Sequence, residues 1–312
     1  MRSLSWVCVA ALLSVGCGDD GANSGTGGTA GSGGSGGGSD TGGSPGTATP
    51  WILDSPIDET RRLGEREYVL YVPSGLDLNE PTPLVFSFHG STPGEGGAST
   101  LQRGVSGGNA HAQDNGYIIV YPQGLVRNGN QGWDTTPLSP DIDFVDAMIA
   151  ELDDEFGLDD DRVYSAGISN GGSMSYALAC VRGEVFAAIG PVATGLPAEC
   201  PLIERVPAIV FHGTDDEFVS FDRGSTSAEA WAMRNGCGGE TVQVFENGDS
   251  VCDAFQGCLE AGDTEFCTID GGGHTWPGSP FADIFDMFGA GATTMDLDAT
   301  DRMWRFFEAH PK

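Results

Sequence analysis

Residues 162–179 read Arg-Val-Tyr-Ser-Ala-Gly-Ile-Ser-Asn-Gly-Gly-Ser-Met-Ser-Tyr-Ala-Leu-Ala and carry the clearest structural signal in the chain. The segment begins as a strand-like run, turns at a Gly-x-Ser-x-Gly pattern centred on Ser169, and continues with helix-forming residues. A serine on such a sharp turn is strained and exposes its hydroxyl, and the flanking glycines let neighbouring backbone approach closely. The segment therefore predicts that Ser169 is a nucleophile.

The bare pattern has little weight in a chain with 49 glycines. It also surrounds Ser35, Ser44 and Ser106. Only Ser169 follows a predicted strand and opens a predicted helix, which is the structural context that the pattern requires. The alternative for Ser169 is a tight turn without chemistry.

A serine hydroxyl is a poor nucleophile at neutral pH, so it needs a base, and the base needs a carboxylate to orient it. With this kind of turn the three follow in the order serine, acid, histidine. His274 fits, because it lies in a glycine-rich loop after a predicted strand. The acid is expected after the strand Ala208–Phe211, where Asp215, Asp216 and Glu217 all qualify, and spacing alone does not choose among them.

The other four histidines fit the role of base less well. His89 and His111 precede the serine, and His310 lies two residues from the end of the chain. His212 precedes the candidate acids at the end of a predicted strand, so we expect it to be packed or to fix the backbone.

Acyl transfer also needs donors for the negative charge that develops on the carbonyl oxygen. The first candidate is the backbone N–H of Asn170, directly after Ser169. The second normally lies in a loop after an earlier strand, and here that loop reads His89-Gly90-Ser91. We therefore expect the Ser91 amide to be the second donor; the alternative for His89-Gly90 is a simple tight turn.

Hydrophobic patterning predicts strands that alternate with helices along the rest of the chain. Such alternation favours an α/β fold, with a mostly parallel sheet covered by helices on both faces. The predicted strands are Glu65–Pro73, Leu84–Phe88, Tyr117–Tyr121, Arg162–Ala166, Phe186–Pro191, Ala208–Phe211 and Glu265–Asp270, and the predicted helices are Asn109–Asn115, Asp141–Phe156, Ser173–Val181 and Asp298–His310.

The composition excludes several classes of partner. The 312 residues are 39% hydrophobic, which is enough for one large domain, and they carry a formal net charge of -31. Because Lys+Arg is only 14 against Asp+Glu 45, the chain has little with which to neutralise a phosphate backbone or an anionic lipid surface. Nucleic acid is therefore not an expected partner, and a membrane is expected only through an anchor at the N-terminus.

The N-terminal region resembles an export signal followed by a tether. Residues 1–17 hold Arg2, a short apolar run, and then Gly16 and Cys17. This arrangement fits a secretory signal peptide and resembles a bacterial lipoprotein processing site, in which Cys17 becomes lipidated; the alternative is ordinary cleavage and release. Residues 18–50 are rich in Gly and Ser and are expected to form a flexible linker before a single catalytic domain at 51–312. The expected location is the cell envelope or the extracellular space.

Six of the eight cysteines follow the linker, an even number in a chain that is expected to be exported. None forms a C-x-x-C pair, so zinc and redox motifs have little support and disulfides are favoured. The six are Cys180, Cys200, Cys237, Cys252, Cys258 and Cys267.

Four segments together resemble the secreted esterase family that includes polyhydroxybutyrate depolymerase-type and feruloyl esterases. They are Leu84–Gly90, Arg162–Ala179, His212-Gly213-Thr214 and Gly271–Gly278, within roughly residues 60–280. The resemblance implies an α/β-hydrolase fold and ester hydrolysis through an acyl-enzyme, with no metal or organic cofactor. By position it implies Ser169 as nucleophile, His274 as base and Asp216, rather than Asp215, as acid.

This chain departs from the family pattern at two positions. Ser91 stands where the family commonly has Cys, which should be tolerated because the backbone amide does the work. Ser220 stands where the family usually has Pro, which is expected to loosen the acid loop without removing the acid. The resemblance also suggests pairing Cys180 with Cys200 and Cys237 with Cys258, which leaves Cys252 to pair with Cys267 across neighbouring strands.

Three residues are candidates for a substrate pocket. They are His89, Trp133 and Trp276, although for each tryptophan a place in the core is an equally good interpretation. The run Asp159-Asp160-Asp161 is expected to be a solvated turn rather than a calcium site, and Asn128–Gln131 is expected to be a loop.

The expected function is that of a serine carboxylesterase. Feruloyl or acetyl esters of plant polysaccharides are the favoured substrates, as small molecules or oligosaccharides, and hydroxyalkanoate oligomers are second. Two hypotheses from other classes remain, a serine peptidase on the same fold and a non-catalytic lipoprotein that binds surfaces.

Overall fold

A computed structural model describes residues 51–201, 204–287 and 289–312. All of them belong to one compact unit, Thr49–Lys312. The predicted signal peptide 1–17, the predicted lipidation at Cys17 and the predicted linker 18–50 lie outside the described residues.

The strands and helices alternate along the chain, as the hydrophobic pattern predicts. The strands are β1 Ile57–Leu63, β2 Arg66–Val72, β3 Thr82–Phe88, β4 Thr92–Pro93, β5 Ile118–Pro122, β6 Leu125–Arg127, β7 Asn130–Gly132, β8 Leu158–Ile168, β9 Ala188–Val192, β10 Ala208–Gly213, β11 Thr241–Asn247, β12 Ser250–Phe255 and β13 Thr264–Ile269. The helices are α1 Ala98–Ser106, α2 Gly108–Asn115, α3 Pro140–Phe156, α4 Asn170–Val181, α5 Phe221–Arg234, α6 Ala282–Met287 and α7 Ala299–Ala309.

One large sheet organises the molecule, with the strand order β1-β2-β5-β3-β8-β9-β10-β13-β12-β11. The six central strands, from β5 to β13, run parallel to one another. The outer pairs on both sides are antiparallel. A small sheet of β4, β7 and β6 stands apart and follows the loop that contains Ser91. The fold is that of an α/β-hydrolase with a mostly parallel sheet.

The central strands are buried on both faces, and their side chains divide into two cores with a period of two. Leu84, Phe86 and Phe88 of β3 join a core beneath α3, α4 and α5. Val85, between them, joins a second core beneath α1, α2 and α7. This two-sided burial explains why β3 reads as a continuous apolar run rather than as an alternating one.

The structure adds elements that the sequence interpretation lacked and corrects two details. The outer strands β1, β11 and β12 and the helices α1 and α5 were not predicted, and residues 128–131 belong to the β6–β7 hairpin rather than to a plain loop. Strand β8 begins at Leu158, so the three aspartates at 159–161 continue a strand instead of forming a turn. They remain largely solvated, because β8 becomes continuously buried only from Val163 onward.

Three disulfides stabilise the part of the sheet that follows the serine. They join Cys180 to Cys200, Cys237 to Cys258, and Cys252 to Cys267, the same pairs that the resemblance suggests. Cys252 and Cys267 are direct partners on the antiparallel strands β12 and β13. Such bridges are typical of proteins in an oxidising, extracytoplasmic compartment.

Candidate active site

The turn from β8 into α4 holds Ser169 in a strained conformation. Its φ of 56° and ψ of -123° lie outside the regions that residues with a side chain normally adopt. Its own N–H donates to Val192 O at 2.9 Å, which anchors the turn to β9. A Cβ on Gly171 would collide with the carbonyl oxygens of Phe88 and His89, so only glycine permits this close approach.

Ser169, Asp216 and His274 all follow parallel strands at one edge of the sheet. The strands end in register: Ile168 pairs with Val192 and Gly213 pairs with Ile269. Loops at the carboxyl ends of neighbouring parallel strands converge, and this is where α/β proteins place their sites. The structure therefore gathers the three candidate residues at one edge.

Of the three candidate acids, Asp216 is the one that contacts His274. His274 Nδ1 lies 2.8 Å from Asp216 Oδ2, whereas Asp215 and Glu217 are exposed and make no such contact. The other oxygen of Asp216 accepts the N–H groups of Phe218 and Val219, both at 2.9 Å. The carboxylate is thus buried, oriented by the backbone and directed at the imidazole.

Asp216 also contacts a second histidine. His212 Nε2 lies 3.3 Å from Asp216 Oδ2 and 2.9 Å from Val219 O, so its N–H is shared between two acceptors. Burial alone would raise the pKa of Asp216. The hydrogen bonds from His212 and His274 outweigh it and hold the pKa of Asp216 well below its usual range. The carboxylate therefore stays ionised, as the orienting partner of a histidine base must.

Backbone hydrogen bonds hold the glycine-rich loop of His274. Its own N–H donates to Ala290 O at 2.5 Å, and Gly273 N donates to Ala292 O at 2.8 Å. A Cβ on Gly273 would collide with Ala290 O, which explains the glycine. The loop presents a side chain that is 15% exposed, so the imidazole is within reach of solvent and substrate.

Two backbone N–H groups next to Ser169 lack partners. Within the described part of the chain, neither the N–H of Asn170 nor that of Ser91 forms a hydrogen bond. Asn170 is the first residue of α4, where the N–H cannot bond within the helix. Gly90 lies against the serine, since a Cβ there would be 3.2 Å from Ser169 Cβ.

The Gly90 carbonyl determines where the Ser91 N–H points. His89 Nδ1 donates to Gly90 O at 2.7 Å, and Thr92 Oγ1 donates to it at 3.1 Å. The C=O and N–H of one planar trans peptide point in opposite directions, so anchoring Gly90 O aims the Ser91 N–H the other way.

The hydroxyl of Ser169 itself forms no hydrogen bond among the described residues. A hydrogen bond between Ser169 and His274, which the catalytic interpretation requires, is therefore not formed here. Catalytic hydrogen bonds are often long before substrate binds.

The three candidate pocket residues lie beneath the site rather than on its surface. His89, Trp133 and Trp276 are 2%, 5% and 2% exposed. Their polar atoms bond within the protein: His89 Nε2 accepts Gly124 N–H at 2.9 Å, and the Trp276 indole donates to Thr300 Oγ1 at 3.1 Å. Their burial excludes direct contact with substrate in this conformation.

Sequence reasoning missed one residue at the surface of the site. Phe218, two residues after Asp216, is 56% exposed, and its ring centroid lies 5.3 Å from that of His274. The available signal was a large apolar residue directly after the acidic run 215–217, where a polar residue would be the ordinary choice for a solvent-exposed loop.

Neither a metal site nor a membrane span is found in the ranges that the structure describes. No group of three or more His, Cys, Asp or Glu side chains there could hold a metal ion. Likewise, none of the helices in those ranges is both long and apolar enough to cross a bilayer.

No protein-family model matches the chain. The chain is 31% identical to feruloyl esterase C of Emericella nidulans over 272 residues, 85% of this chain and 91% of that one. It is 30% identical to the probable feruloyl esterase C of Aspergillus flavus over 266 residues, 81% of this chain and 87% of that one. Among solved structures, an acetyl xylan esterase from Aspergillus awamori shares the fold, with a TM-score of 0.57 at 17% identity over 76% of this chain and 100% of that one. The chain therefore belongs to the feruloyl esterase family of α/β-hydrolases and is a carboxylic ester hydrolase.

Proposed function

We propose that the chain hydrolyses esters through a covalent acyl-enzyme, with Ser169 as nucleophile, His274 as general base and acid, and Asp216 as the carboxylate that orients His274. The observation that carries this proposal is the 2.8 Å hydrogen bond between His274 Nδ1 and Asp216 Oδ2, at the sheet edge where Ser169 occupies its strained turn. That bond requires a proton on Nδ1 and leaves Nε2 free to accept one.

The reaction then runs in two halves. Ser169 Oγ attacks the ester carbonyl carbon while His274 Nε2 takes the hydroxyl proton, and the carbonyl oxygen becomes negatively charged. As the tetrahedral intermediate collapses, His274 returns the proton to the departing alcohol and leaves an acyl group on Ser169. Water, deprotonated by the same nitrogen, attacks the acyl carbon; the bond to Ser169 Oγ then breaks, His274 returns the proton to Oγ, and the acid is released.

The Ser91 and Asn170 N–H groups form the oxyanion hole in this proposal. Both are without a partner and flank the nucleophile, so both are free to donate to the charged oxygen. Because the donors belong to the backbone, the serine at position 91 serves as well as the cysteine common in the family.

The decisive test is turnover by the purified protein beside its Ser169→Ala and His274→Ala variants. Each substitution should lower kcat by roughly 10⁶-fold, because the members of such a triad act as a unit. Variants that fold normally and retain turnover would refute the assignment. Cleavage of peptides but not of esters would favour the peptidase hypothesis. A folded wild-type protein without turnover would favour the binding lipoprotein.

The substrates in this proposal are feruloyl or acetyl esters of plant polysaccharides. The names of the relatives support an aromatic acyl group, and the name of the structural neighbour supports an acetyl group. Phe218 also supports the aromatic acyl group, because an exposed aromatic ring beside the base can pack against a planar feruloyl ring. The alternative substrate is a hydroxyalkanoate oligomer. The experiment compares the rates at which free acid is released from methyl ferulate, acetylated xylan oligomers and a 3-hydroxybutyrate oligomer. The fastest release identifies the substrate class.

A lipid anchor at Cys17 and a flexible tether at 18–50 complete the proposal. They rest on the apolar run before Gly16-Cys17 and on the Gly/Ser composition that follows. Two acyl chains suffice for stable anchoring in a bilayer, so a lipidated Cys17 would hold the enzyme on a bacterial membrane. Mass spectrometry of the mature N-terminus tests this: an unmodified terminus other than Cys17 would refute the anchor and leave a released enzyme.

A further inference from the structure

Trp133, in the loop between β7 and α3, joins two segments of the site that are far apart in the chain. Its indole Nε1 donates to His89 O at 2.9 Å. Its backbone N–H donates to Asn170 Oδ1 at 2.6 Å, and its carbonyl accepts Asn170 Nδ2 at 3.2 Å. One buried residue thus contacts the loop after β3 and the first residue of α4.

These two segments carry the two N–H groups assigned to the oxyanion hole. Asn170 supplies one of them, and its side chain forms a pair of hydrogen bonds with the Trp133 backbone. His89 begins the run that leads to Ser91, and its ring lies 4.9 Å from the Trp133 ring. A backbone N–H cannot be redirected by a change of rotamer, so it is positioned only by whatever holds its segment.

A partly buried ion cluster centred on Asp141 holds Trp133 in turn. Asp141, fully buried, pairs with Arg66 at 2.5 Å and with Arg127 at 2.9 Å. Asp141 Oδ2 also accepts the N–H of Asp134 at 2.7 Å, and Arg127 donates to Gly132 O at 2.9 Å. Gly132 and Asp134, on either side of the tryptophan, are therefore both hydrogen-bonded to members of this ion cluster.

We propose that Trp133 is a positioning residue that sets the spacing of the Ser91 and Asn170 N–H groups around the charged oxygen of the transition state. This inference rests on the proposed function. The indole N–H is the essential feature, since a phenylalanine would fill much of the same space but leave His89 O without the hydrogen bond that the structure gives it.

The chain provides a matched control in Trp231. It is also buried, and its indole donates to a backbone carbonyl, Val206 O, at the same 2.9 Å. It lies on α5 and makes none of the contacts that Trp133 makes to His89 or Asn170. The variants Trp133→Phe and Trp231→Phe therefore remove the same kind of hydrogen bond, one near the proposed oxyanion hole and one away from it.

The experiment compares the wild-type full chain with both variants by kcat and KM on 4-nitrophenyl acetate. It also measures Ki for phenylboronic acid, in which Ser169 Oγ adds to boron and a boron oxygen enters the oxyanion hole. We expect Trp133→Phe to lower kcat about 10-fold, less than the 10²–10³ lost with a whole donor, and to change KM less than about twofold. Ki should rise by the same factor as kcat falls. Trp231→Phe should lower the melting temperature less, because Asn235 Nδ2 still donates to Val206 O, and it should leave kcat and Ki unchanged.

Asn170→Ala is the second variant, in case Trp133→Phe folds poorly. It keeps the Asn170 N–H but removes both side-chain hydrogen bonds to Trp133. We therefore expect kcat to fall and Ki to rise by the same factor in this variant too. The double variant should lose less than the product of the single losses, because both changes cut one connection.

Three results would overturn the inference. The first is an unchanged kcat and Ki in folded Trp133→Phe, and the second is a loss confined to KM. The third is equal losses of kcat in Trp133→Phe and Trp231→Phe. A wild-type protein without Ser169-dependent turnover would instead overturn the proposed function, and this inference with it.

Discussion

The two sides of the candidate site are built differently. On the serine side, Asn170 and the loop after β3 are held by a partly buried hydrogen-bond network that runs through Trp133 to Asp141 and its two arginines. On the base side, the loop of His274 is held chiefly by backbone hydrogen bonds, and its imidazole is oriented through Asp216.

The difference follows from what each side must do. Oxyanion donors are backbone groups, so their geometry is only as good as the packing around them. A histidine base shuttles a proton between serine, alcohol and water, and it needs one fixed nitrogen and one accessible nitrogen. Substitutions on the serine side should therefore act through the network that positions the backbone donors, and those at Asp216 and His274 through the hydrogen bond that orients the base.

The largest effect should come from Asp216→Asn. An amide leaves the geometry nearly intact but does not hold His274 in the tautomer that the reaction needs, so kcat should fall about 10⁴-fold. Asp215→Asn, an identical change one residue away on an exposed side chain, should leave kcat close to wild type. Steady-state kinetics of both variants checks this. Loss of activity only in the Asp215 variant would break the comparison at its central hydrogen bond.

The next effect concerns stability and belongs to the serine side. Burial lowers the pKa of His89 from 6.5 to about 4, and its Nε2 already accepts Gly124 N–H. The folded protein therefore keeps His89 neutral while the unfolded chain takes up a proton below pH 6.5. Stability from this residue should fall as the pH drops from 6.5 to about 4, by about 3 kcal/mol at most.

Urea unfolding of the wild type and His89→Gln at pH 7, 6, 5 and 4.5 measures this contribution. Glutamine places a carbonyl oxygen at the ε position, where it can accept Gly124 N–H, but it does not titrate, so the variant should lose less stability as the pH falls. Any contribution from Asp216 is common to both proteins and cancels. Parallel stability curves would show that His89 is not the group that titrates.

Much of the fold could be predicted because it depends on local patterns. The apolar run Leu84–Phe88 and the helical spacing within Asp141–Phe156 reflect burial on two faces and on one face respectively, and both elements are present. The strained turn at Ser169 was predictable because close backbone approach demands glycine at fixed positions. The exposed outer strands β1 and β11 lack a strong apolar pattern, so they escaped prediction.

The rest depends on contacts between residues that are distant in the chain. Nothing local separates Asp216 from Asp215, since only the approach of His274 does so. Trp133 reads equally well as a pocket or a core residue until His89 and Asn170 are placed beside it. The burial of Trp133 decides between these two interpretations, and its burial cannot be read from its position in the sequence.

A smaller effect should follow loss of the second histidine at the acid. His212→Leu removes one donor from a buried carboxylate, and a hydrogen bond to a charged group contributes about 1.5–3 kcal/mol, so kcat should fall by about 10–10²-fold. His310→Leu is the control, because His310 also pairs with a carboxylate, that of Asp263, but lies at the C-terminal end of the chain. Equal kcat in the two variants would mean that the N–H groups of Phe218 and Val219 hold Asp216 for catalysis without His212.

The smallest effect should be one of selectivity, at Phe218. Its N–H donates to Asp216, so Phe218→Ala keeps the backbone of the acid loop and removes only the exposed ring beside His274. Aromatic pairs contribute about 0.5–1.5 kcal/mol, so kcat/KM for methyl ferulate should fall about 2–10-fold relative to methyl acetate. Phe218→Leu, which keeps an apolar cover over the imidazole but has no aromatic ring, separates the two roles of the side chain. If Phe218→Leu restores the ferulate preference, or if Phe218→Ala lowers kcat/KM equally for both substrates, Phe218 shields the base rather than binding an aromatic acyl group. The base side then depends on packing as the serine side does.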